Sequence, residues 1–388
     1  MRWLFLSLLV LLPWTARAEA MVRIAIGERL SSVELKGERM RLRAIGEDGG
    51  YRPVEGGVLR LRPSPEGIAV EGRVGPGRAA AAPESPVPAI GQVTDGALVI
   101  AGDPPSVKIR ADGPIEVGGK VVRGSVEVAV AGGSLLAINE IPMETYLAAV
   151  LGSEMPPSFP PEALKAQAVA ARTYAIGKKI GAEGASYHLG ASVLSQVYGG
   201  VNREDPRTLD AVRATEGEVL VFEHAPIEAY FFASCGGRTE TGQAALSRDL
   251  PYLTAHKCPE RPDTPGARWH LDLGAAELGR RLGVAQPSDV RIAARTGTGR
   301  ALSIALETAR GPRRIDAVTF RRKLGYGELK SLSFEVERRG GGFRFTGRGN
   351  GHGAGLCQWG AAAAASDGWD YRRILSHYYP GTELRRMY

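Results

Sequence analysis

The residue with the clearest chemical potential is a glutamate that shares a helix face with apolar side chains. Apolar residues recur at helical spacing from Met143 to Leu151, and the same stripe continues to Glu154. Burial raises the pKa of a carboxyl group, so Glu154 could hold its proton near neutral pH and protonate a leaving oxygen. Alternatively, the helix frays by Ser153 and Glu154 is a solvated turn carboxylate. Glu144, in the first turn, is explained sufficiently by the helix macrodipole.

Two cationic residues follow on a second predicted helix. Lys165 and Arg172 are seven residues apart, which is two helical turns, so they lie on one face about 10 Å apart. They could hold acidic groups of a substrate or stabilise a nearby carboxylate. For Lys165, a solvated face with Glu162 as its local partner explains the residue equally well. Arg172 lies between Ala-rich and aromatic runs that look buried, so a solvated position suits it less.

A glycine-dense segment, GRGNGHGAGLCQWG at residues 347–360, is a second candidate site. Its glycines allow the backbone to approach a ligand closely and predict that His352 and Gln358 are exposed in a groove. A phosphate cradle is disfavoured because no Lys-Ser/Thr pair follows the glycines. A thiol peptidase using Cys357 is also disfavoured, since its nucleophile normally opposes a histidine from elsewhere in the chain, not one five residues away.

The cysteines and histidines predict one disulfide and no metal. Cys235 follows a strand and Cys258 comes 23 residues later, a loop whose closure would stabilise the fold by about 3 to 4 kcal/mol, leaving Cys357 free beside the groove. The six histidines are scattered singly, and no C-x-x-C or H-x-x-x-H spacing occurs. We therefore expect no zinc site and no cofactor.

The elements that must position these residues indicate an α+β fold. A β-rich N-terminal region is predicted over residues 19–130, and a mixed α+β catalytic domain with a substrate groove over residues 131–388. Residues 78–88, RAAAAPESPVP, are typical of an exposed loop or linker. A helical stretch is predicted to begin near Leu135, a second helix over 161–181 and a short helix over 316–324. The predicted strands cover residues 22–26, 68–74, 97–101, 126–130, 218–222, 227–233, 300–307 and 332–337.

Composition and the N-terminus narrow the class of protein. The chain has 388 residues, 44% of them hydrophobic, which excludes wholesale disorder. Its net charge of +7 includes no run of five like charges, so we expect no nucleic-acid partner. Residues 1–18 are typical of a secretory signal peptide, because their apolar run is shorter than the ~20 residues of a membrane span. We therefore expect an exported protein, periplasmic or associated with the cell wall, with no integral membrane span after cleavage.

Five ordered motifs between residues 135 and 388 resemble the stage II sporulation protein D family, also called the amidase-enhancer family. The motifs are IPMETYLAAVLGSEMPPSFPPEALKAQAVAARTYAI from Ile141, QVYGG at 196–200, YFFASCGGRTE at 230–240, GRGNGHGAGLCQWGA from Gly347, and HYYPGT at 377–382. The resemblance implies a lytic transglycosylase that cleaves peptidoglycan glycan strands already stripped of stem peptides by an amidase.

The resemblance also implies roles for individual residues. It makes Glu154 of the E-M-P motif the catalytic acid, with Lys165 and Arg172 as supporting cations. Substrate-binding or supporting roles are expected for the polar residues of the QVYGG and glycine-dense motifs, namely Gln196, Tyr198, His352 and Gln358.

The resemblance leaves a second function open and has one departure. The older family name suggests a non-catalytic wall-binding protein that enhances an N-acetylmuramoyl-L-alanine amidase, which makes such an amidase a candidate partner. Some family members bind zinc through a His and two Cys in the segment before the Q-x-Y motif. Here that segment has His188 and Ser195 but neither cysteine, so we expect no zinc there.

Overall fold

A long series of short strands opens the fold. The computed structural model describes residues 20–46, 50–75, 93–94, 97–191 and 196–388; the predicted signal peptide and the loop predicted over 78–88 lie outside these ranges. The strands up to residue 142 are β1 (Met21–Leu30), β2 (Val33–Lys36), β3 (Arg41–Ala44), β4 (Arg52–Ser64), β5 (Gly67–Val74), β6 (Val93–Thr94), β7 (Ala97–Ile100), β8 (Ser106–Arg110), β9 (Ile115–Val117), β10 (Lys120–Val122), β11 (Ser125–Ala131) and β12 (Ser134–Pro142).

These strands belong to one large sheet. Its main path runs β10-β9-β2-β4-β3-β8-β11-β12-β1-β13, with β13 at Leu189–Gly190, and β5, β6 and β7 pair beside β4. All pairings are antiparallel except that of β1 with β13. Alternation of buried and exposed residues, as in β3 and β9, gives the sheet one apolar face.

The predicted start of the first helix is wrong. Residues 134–142 form β12, which pairs with β1 on one side and β11 on the other. The helix α1 begins only at Met143 and ends at Glu154. Six of the nine residues of β12 are buried, because both edges of the strand are paired and the sheet packs against the helices; such a continuous apolar run does not distinguish a buried strand from a helix. The domain boundary predicted at residue 130 falls within β11, next to the turn of the β11–β12 hairpin.

The rest of the chain mixes helices and short strands. The elements after α1 are α2 (Pro161–Gly181), β13, a 3₁₀ turn (Val201–Arg203), α3 (Pro206–Ala214), β14 (Glu218–Phe222), β15 (Ala225–Pro226), β16 (Phe231–Phe232), α4 (Gly242–Leu246), β17 (Arg268–Gly274), α5 (Ala275–Leu282), β18 (Pro287–Arg295), β19 (Ala301–Thr308), β20 (Arg313–Asp316), α6 (Ala317–Leu324), β21 (Phe334–Arg339), β22 (Gly342–Arg348), β23 (Leu356–Cys357), α7 (Gln358–Ser366), α8 (Tyr371–Tyr378) and β24 (Glu383–Arg386).

Helix α2 is the centre of the helical part. It starts at Pro161, whose missing N–H costs nothing in the first turn, and ends at Gly181, as predicted. Its many alanines allow close approach, and it contacts α1, α3, α7, α8 and β14. The main apolar core extends from the sheet through this helix to the C-terminal helices.

Residues from β17 to β22 form a second, smaller core. Phe320, Phe334 and Phe345 pack together at its centre. The β-rich N-terminal region and the following mixed region therefore confirm the predicted α+β class. Across the described residues, helices that combine the length and apolarity required to cross a membrane are absent.

Candidate active site

Glu154 is the last residue of α1, and its carboxyl group is largely shielded from solvent. Its Oε1 accepts a hydrogen bond of 2.7 Å from the backbone N–H of Val197. Burial raises the pKa of Glu154, and the Val197 N–H and the Gln358 side chain oppose that effect only in part. The helix continues through Ser153, so the alternative of a frayed end with a solvated carboxylate is wrong.

The segment that supplies the Val197 N–H is held by its two neighbours. Gln196 is fully buried; its Oε1 accepts from the Tyr146 hydroxyl at 2.8 Å and its Nε2 donates to the Ala171 carbonyl at 3.0 Å. Tyr198 is also buried and donates its hydroxyl to Asn139 Oδ1 at 2.8 Å. Both side chains point into the core, so they support the site from behind. Sequence reasoning missed Val197 because its contribution is a backbone group.

Gln358 closes the other side of the carboxylate. It is the first residue of α7 and is buried. Its Nε2 makes no hydrogen bond of good geometry, yet the amide lies near enough to Glu154 to lower the pKa of that carboxyl group. The next residue, Trp359, packs edge-on against Phe159 with ring centroids 4.7 Å apart. The glycine-dense motif and the α1–α2 connection therefore meet at Glu154.

The predicted role of Arg172 beside Glu154 is wrong. Arg172 is fully buried, and its Nε and Nη2 donate to the two carboxylate oxygens of Glu144 at 2.8 and 2.5 Å. The remaining donors reach Thr215 Oγ1 at 3.5 Å and the carbonyls of Glu218 and Val212 at 3.1 and 3.3 Å. All five N–H donors of the guanidinium are thereby used within the protein.

Glu144 does more than compensate the macrodipole at the start of α1, because it is also the partner of the buried Arg172. Besides Arg172, its Oε1 accepts from the hydroxyl of Tyr388 at 2.5 Å and from the N–H of Gly217 at 3.4 Å. The macrodipole explanation was therefore insufficient. Sequence spacing gives the face on which Arg172 lies but not the helix that packs against that face.

Lys165 pairs with Glu162 on its own helix, which is the alternative to a substrate-binding role for this residue. Its Nζ lies 2.7 Å from Glu162 Oε1, one turn earlier, and 5.9 Å from the centroid of the Tyr371 ring. Glu162 in turn accepts the backbone N–H of Tyr371 at 2.9 Å, which joins α2 to α8. The described contacts of Lys165 do not include Glu154.

His352 is bound by backbone groups at both ring nitrogens. Nε2 donates to the Phe231 carbonyl at 3.0 Å, and Nδ1 accepts the Ala354 N–H at 3.2 Å. Burial lowers the pKa of His352 to about 4, so the ring is neutral at pH 7. A Cβ on Gly351 would come within 2.5 Å of Phe232, which explains why the loop needs glycine to pack on β16. The glycines thus permit internal packing: His352 is only partly exposed, and Gln358, which was also expected to be exposed, is buried.

Comparison with known proteins identifies the family. A family model described as Stage II sporulation protein matches residues 131–222, which contain α1, α2 and the QVYGG motif. Stage II sporulation protein D of Bacillus subtilis is 32% identical over 287 residues, covering 70% of this chain and 82% of that protein. The chain belongs to the stage II sporulation protein D family. The protein of the same name from Bacillus amyloliquefaciens is 33% identical over 266 residues, 64% of this chain and 75% of that protein.

Another relative of this chain is named for a different property. The Amidase enhancer of Bacillus subtilis is 30% identical over 288 residues, covering 61% of this chain but 40% of that longer protein. Glu154, Lys165, Arg172, Gln196 and Tyr198 all fall within the segment that the family model matches.

The two cysteines predicted to form a disulfide, Cys235 and Cys258, lie close together, with their sulfur atoms within 4.8 Å of each other, but they are not bonded. Cys235, Cys258 and Cys357 are all free. The Cys235 thiol donates to Glu260 Oε2 at 2.9 Å, while Cys258 Sγ lies 3.1 Å from the Tyr378 hydroxyl. Cys357 is not beside a groove but fully buried as the N-cap of α7, where its sulfur accepts the Gly360 N–H at 3.3 Å. A buried thiol with that hydrogen bond is also unsuited to the thiol peptidase hypothesis.

The argument that the chain has no cluster of metal ligands is also wrong. Among the described residues, Cys235, Cys258, Glu260 and Cys357 bring their ligand atoms within 4.8 Å of one another. The search by short spacing missed this group because its members come from distant parts of the chain. His188, in the family's zinc-binding segment, instead accepts the backbone N–H of Arg23 at its Nδ1, 3.1 Å away; Ser195 lies outside the described residues.

Cavities elsewhere in the fold do not include the candidate acid. Three cavities have volumes of about 460, 490 and 350 Å³, and Glu154 lines none of them. The smallest lies on the other side of α1, against Glu144 and Ala148. Lys165 pairs with Glu162 and Arg172 with Glu144, so among the described contacts Glu154 is approached by Val197 and Gln358 instead of by the two cations.

Proposed function

We propose that this protein cleaves peptidoglycan glycan strands by lytic transglycosylation and acts on strands whose stem peptides have been removed. The observation that carries the proposal is the shielded Glu154, whose raised pKa suits a general acid. Membership of a family with sporulation and amidase-enhancer names supports a role at the cell wall. The site requires neither a metal nor a cofactor for this chemistry.

The chemistry needs one carboxyl group. Protonated Glu154 gives its proton to the glycosidic oxygen as the bond from that oxygen to C1 of muramic acid breaks. The resulting carboxylate then takes the proton of the 6-hydroxyl of the same muramic acid. At the same time the oxygen of that 6-hydroxyl bonds to C1. The products are a 1,6-anhydromuramic acid end and a free 4-hydroxyl on the leaving sugar, with no water consumed. The attacking and leaving groups belong to one ring, which supplies the orientation.

Two neighbours suit the changing charge of Glu154. The Val197 N–H donates to the carboxylate and stabilises the charge that appears after the first proton transfer. The Nε2 of Gln358 has an unused donor beside the same group. Hydrolytic glycosidases generally use two carboxyl groups, but Glu144, the other acidic residue of α1, is bound to Arg172. A single-carboxylate mechanism therefore fits this helix.

The decisive experiment compares two Glu→Gln variants of the mature protein. Glu154→Gln should cleave amidase-treated peptidoglycan more slowly than the wild type by a factor of about 10² to 10⁴, because the change removes the general acid without changing the shape of the side chain. Glu216→Gln is the matched control, since Glu216 is exposed. Mass spectrometry of soluble products should detect anhydro-muramic ends with the wild type and control only. Wild-type cleavage by a folded Glu154→Gln variant would refute the proposal.

A second candidate function rests on the relative named Amidase enhancer. In this case the protein binds the cell wall and stimulates an amidase without cutting glycan itself. Glu154→Gln would then stimulate a cell-wall amidase as well as the wild type does, and neither protein would release anhydro-muramic ends. In both proposals the protein is exported and acts at the wall.

A further inference from the structure

The four potential ligands Cys235, Cys258, Glu260 and Cys357, which we call the sulfur cluster, come from three separate segments. Cys235 lies in the turn after β16, Cys258 and Glu260 lie in the long connection before β17, and Cys357 precedes α7. Their ligand atoms lie within 4.8 Å of one another. Three of the four are buried, and Cys258 is partly exposed. The fold therefore concentrates all three cysteines of the chain and one carboxylate at a single internal point.

Backbone N–H groups surround the sulfurs as they do in thiolate sites. Cys357 Sγ accepts the N–H groups of Cys235 and Gly360, both at 3.3 Å. Cys235 Sγ accepts the N–H of Gly237 at 3.2 Å. Such donors stabilise negative sulfur and orient it, as the outer partners of metal ligands do. These N–H groups are therefore placed to stabilise the sulfurs of Cys235 and Cys357 when they bind a metal as thiolates.

The carboxylate of the sulfur cluster is oriented in the same way. Glu260 Oε2 accepts the N–H groups of Cys235 and Gly236 at 2.8 and 2.9 Å. Its Oε1 accepts the Ser234 hydroxyl at 2.5 Å. A buried carboxylate with three fixed donors has one preferred position beside the sulfurs. Ser234 and the turn glycines thus hold Glu260 as a fourth corner.

We propose that the sulfur cluster binds one structural Zn²⁺ ion. Zinc takes four Cys, His or carboxylate ligands tetrahedrally, with Zn–S distances of about 2.3 Å, which puts neighbouring sulfurs about 3.8 Å apart. Ligand atoms already within 4.8 Å need only a small contraction to reach that geometry. Soft thiolates select zinc over hard cations such as magnesium or calcium. With four protein ligands the site is closed, so its role is to hold the fold together.

Charge around the sulfur cluster supports the same ion. Three thiolates and a carboxylate carry four negative charges, of which Zn²⁺ neutralises two. Arg300 is 3% exposed and interacts electrostatically with Cys235, Cys357 and Glu260. It donates to the Cys235 carbonyl at 2.8 Å, and its Nη1 has no partner among the described residues. A buried cation that faces an excess of negative charge is better compensated with the metal-bound cluster than with neutral thiols.

The sulfur cluster lies at the start of α7, so a bound metal would affect the position of that helix. Cys357 is the N-cap of α7, and the next residue, Gln358, contacts Glu154. A Cβ on Gly360 would lie 2.3 Å from Cys258 Sγ, so α7 approaches the cluster as closely as its backbone allows. Zinc would fix the start of α7 against the turn after β16 and thereby fix Gln358. Activity is not needed to detect the ion.

The test measures metal in the purified mature chain, prepared with a reductant and without added chelator. We expect one zinc per chain by elemental analysis, and tetrahedral thiolate bands after replacement by Co²⁺. Cys235→Ser, Cys357→Ser and Glu260→Gln should each weaken zinc binding by more than the ~10- to 100-fold expected for loss of an outer-shell partner. His188→Ala and Glu216→Gln should retain stoichiometric zinc. Competition with a chromophoric chelator measures the affinity of each folded variant.

Three results would overturn the zinc proposal. The first is reduced, folded protein that neither contains zinc nor binds Zn²⁺ or Co²⁺ when either is added. The second is zinc that Cys235→Ser, Cys357→Ser and Glu260→Gln all retain at wild-type affinity. The third is a protein that, when purified in parallel without reductant, shows by its mass and thiol count an intact disulfide between any two cysteines. If a cysteine variant does not fold, Glu260→Gln in the otherwise unchanged chain decides the question.

Discussion

The buried ion pair between Arg172 and Glu144 gives the most quantitative prediction. Breaking a buried pair costs about 3 to 5 kcal/mol of unfolding free energy, since one charge is left without its partner. The two halves are not equivalent: the Arg172 side chain is 0% exposed, whereas that of Glu144 is 21% exposed. After Arg172→Met, Glu144 still has the Tyr388 hydroxyl and the Gly217 N–H as donors. After Glu144→Met, the Arg172 cation is left buried with uncharged acceptors.

We therefore expect Glu144→Met to cost about 5 kcal/mol and Arg172→Met about 3 kcal/mol. The double variant should cost less than the two changes added together, because an apolar pair replaces the ion pair without leaving a charge. Urea unfolding followed by circular dichroism gives the midpoints, and an unchanged slope identifies a change in stability alone. The matched control is Glu216→Gln, because Glu216 is exposed. A change at a buried apolar residue, such as Val221→Ala, would not serve, because it opens a cavity.

The result that would refute this reasoning is an Arg172→Met protein of wild-type stability that has lost glycan cleavage. Arg172 would then act on the substrate or on Glu154, as the sequence suggested. A larger loss from Arg172→Met than from Glu144→Met would also contradict the argument, because it would mean that the carboxylate, not the guanidinium, is the group that burial penalises.

Two further predictions concern Glu154 and the sulfur cluster. The raised pKa of Glu154 means that the folded state binds its proton more tightly than the unfolded state, so its contribution to stability falls as pH rises above the ordinary value of 4.5. Glu154→Gln should gain stability relative to the wild type above about pH 4.5 and lose that gain at lower pH, which parallel urea titrations measure; a pH-independent difference would contradict the assignment. Gly360→Ala should weaken zinc binding, because its Cβ would lie 2.3 Å from Cys258 Sγ, and wild-type affinity in a chelator competition would count against the close packing.

The sequence predicted those elements whose local pattern agrees with their tertiary surroundings. Helix α2 begins and ends where Pro161 and Gly181 indicate, and the strand at 218–222 has the predicted bounds. The strand β12 was predicted as helix because both of its faces are covered, which removes the alternation that marks a half-buried strand. The predicted strand at 227–233 is shortened to Phe231–Phe232, because the chain before it forms other contacts, such as that of Glu228 N–H with the Tyr252 hydroxyl.

The candidate acid was predictable, but its surroundings were not. The apolar stripe of α1 left two positions open for Glu154, an inward-facing one and a solvated turn, and the structure decides for the first because the helix extends to this residue. Whether Arg172 or Gln358 faces Glu154 depends on how helices cross, and helix spacing contains no information on that crossing. The sulfur cluster depends on three segments up to 122 residues apart, so no local spacing could reveal it.

The acidity of Glu154 is controlled by residues that lie behind it. Tyr146 binds Gln196 from within α1, and Gln196 also binds the carbonyl of Ala171 in α2, so both helices fix the segment that presents the Val197 N–H. That N–H lowers the pKa of Glu154, while burial raises it. Because the two effects oppose each other, a small displacement of residues 196–198 would change the pKa of Glu154 without any change in the Glu154 side chain itself. In the proposed mechanism, the QVYGG motif therefore acts on Glu154 through the backbone N–H of Val197, which the buried side chain of Gln196 holds in place.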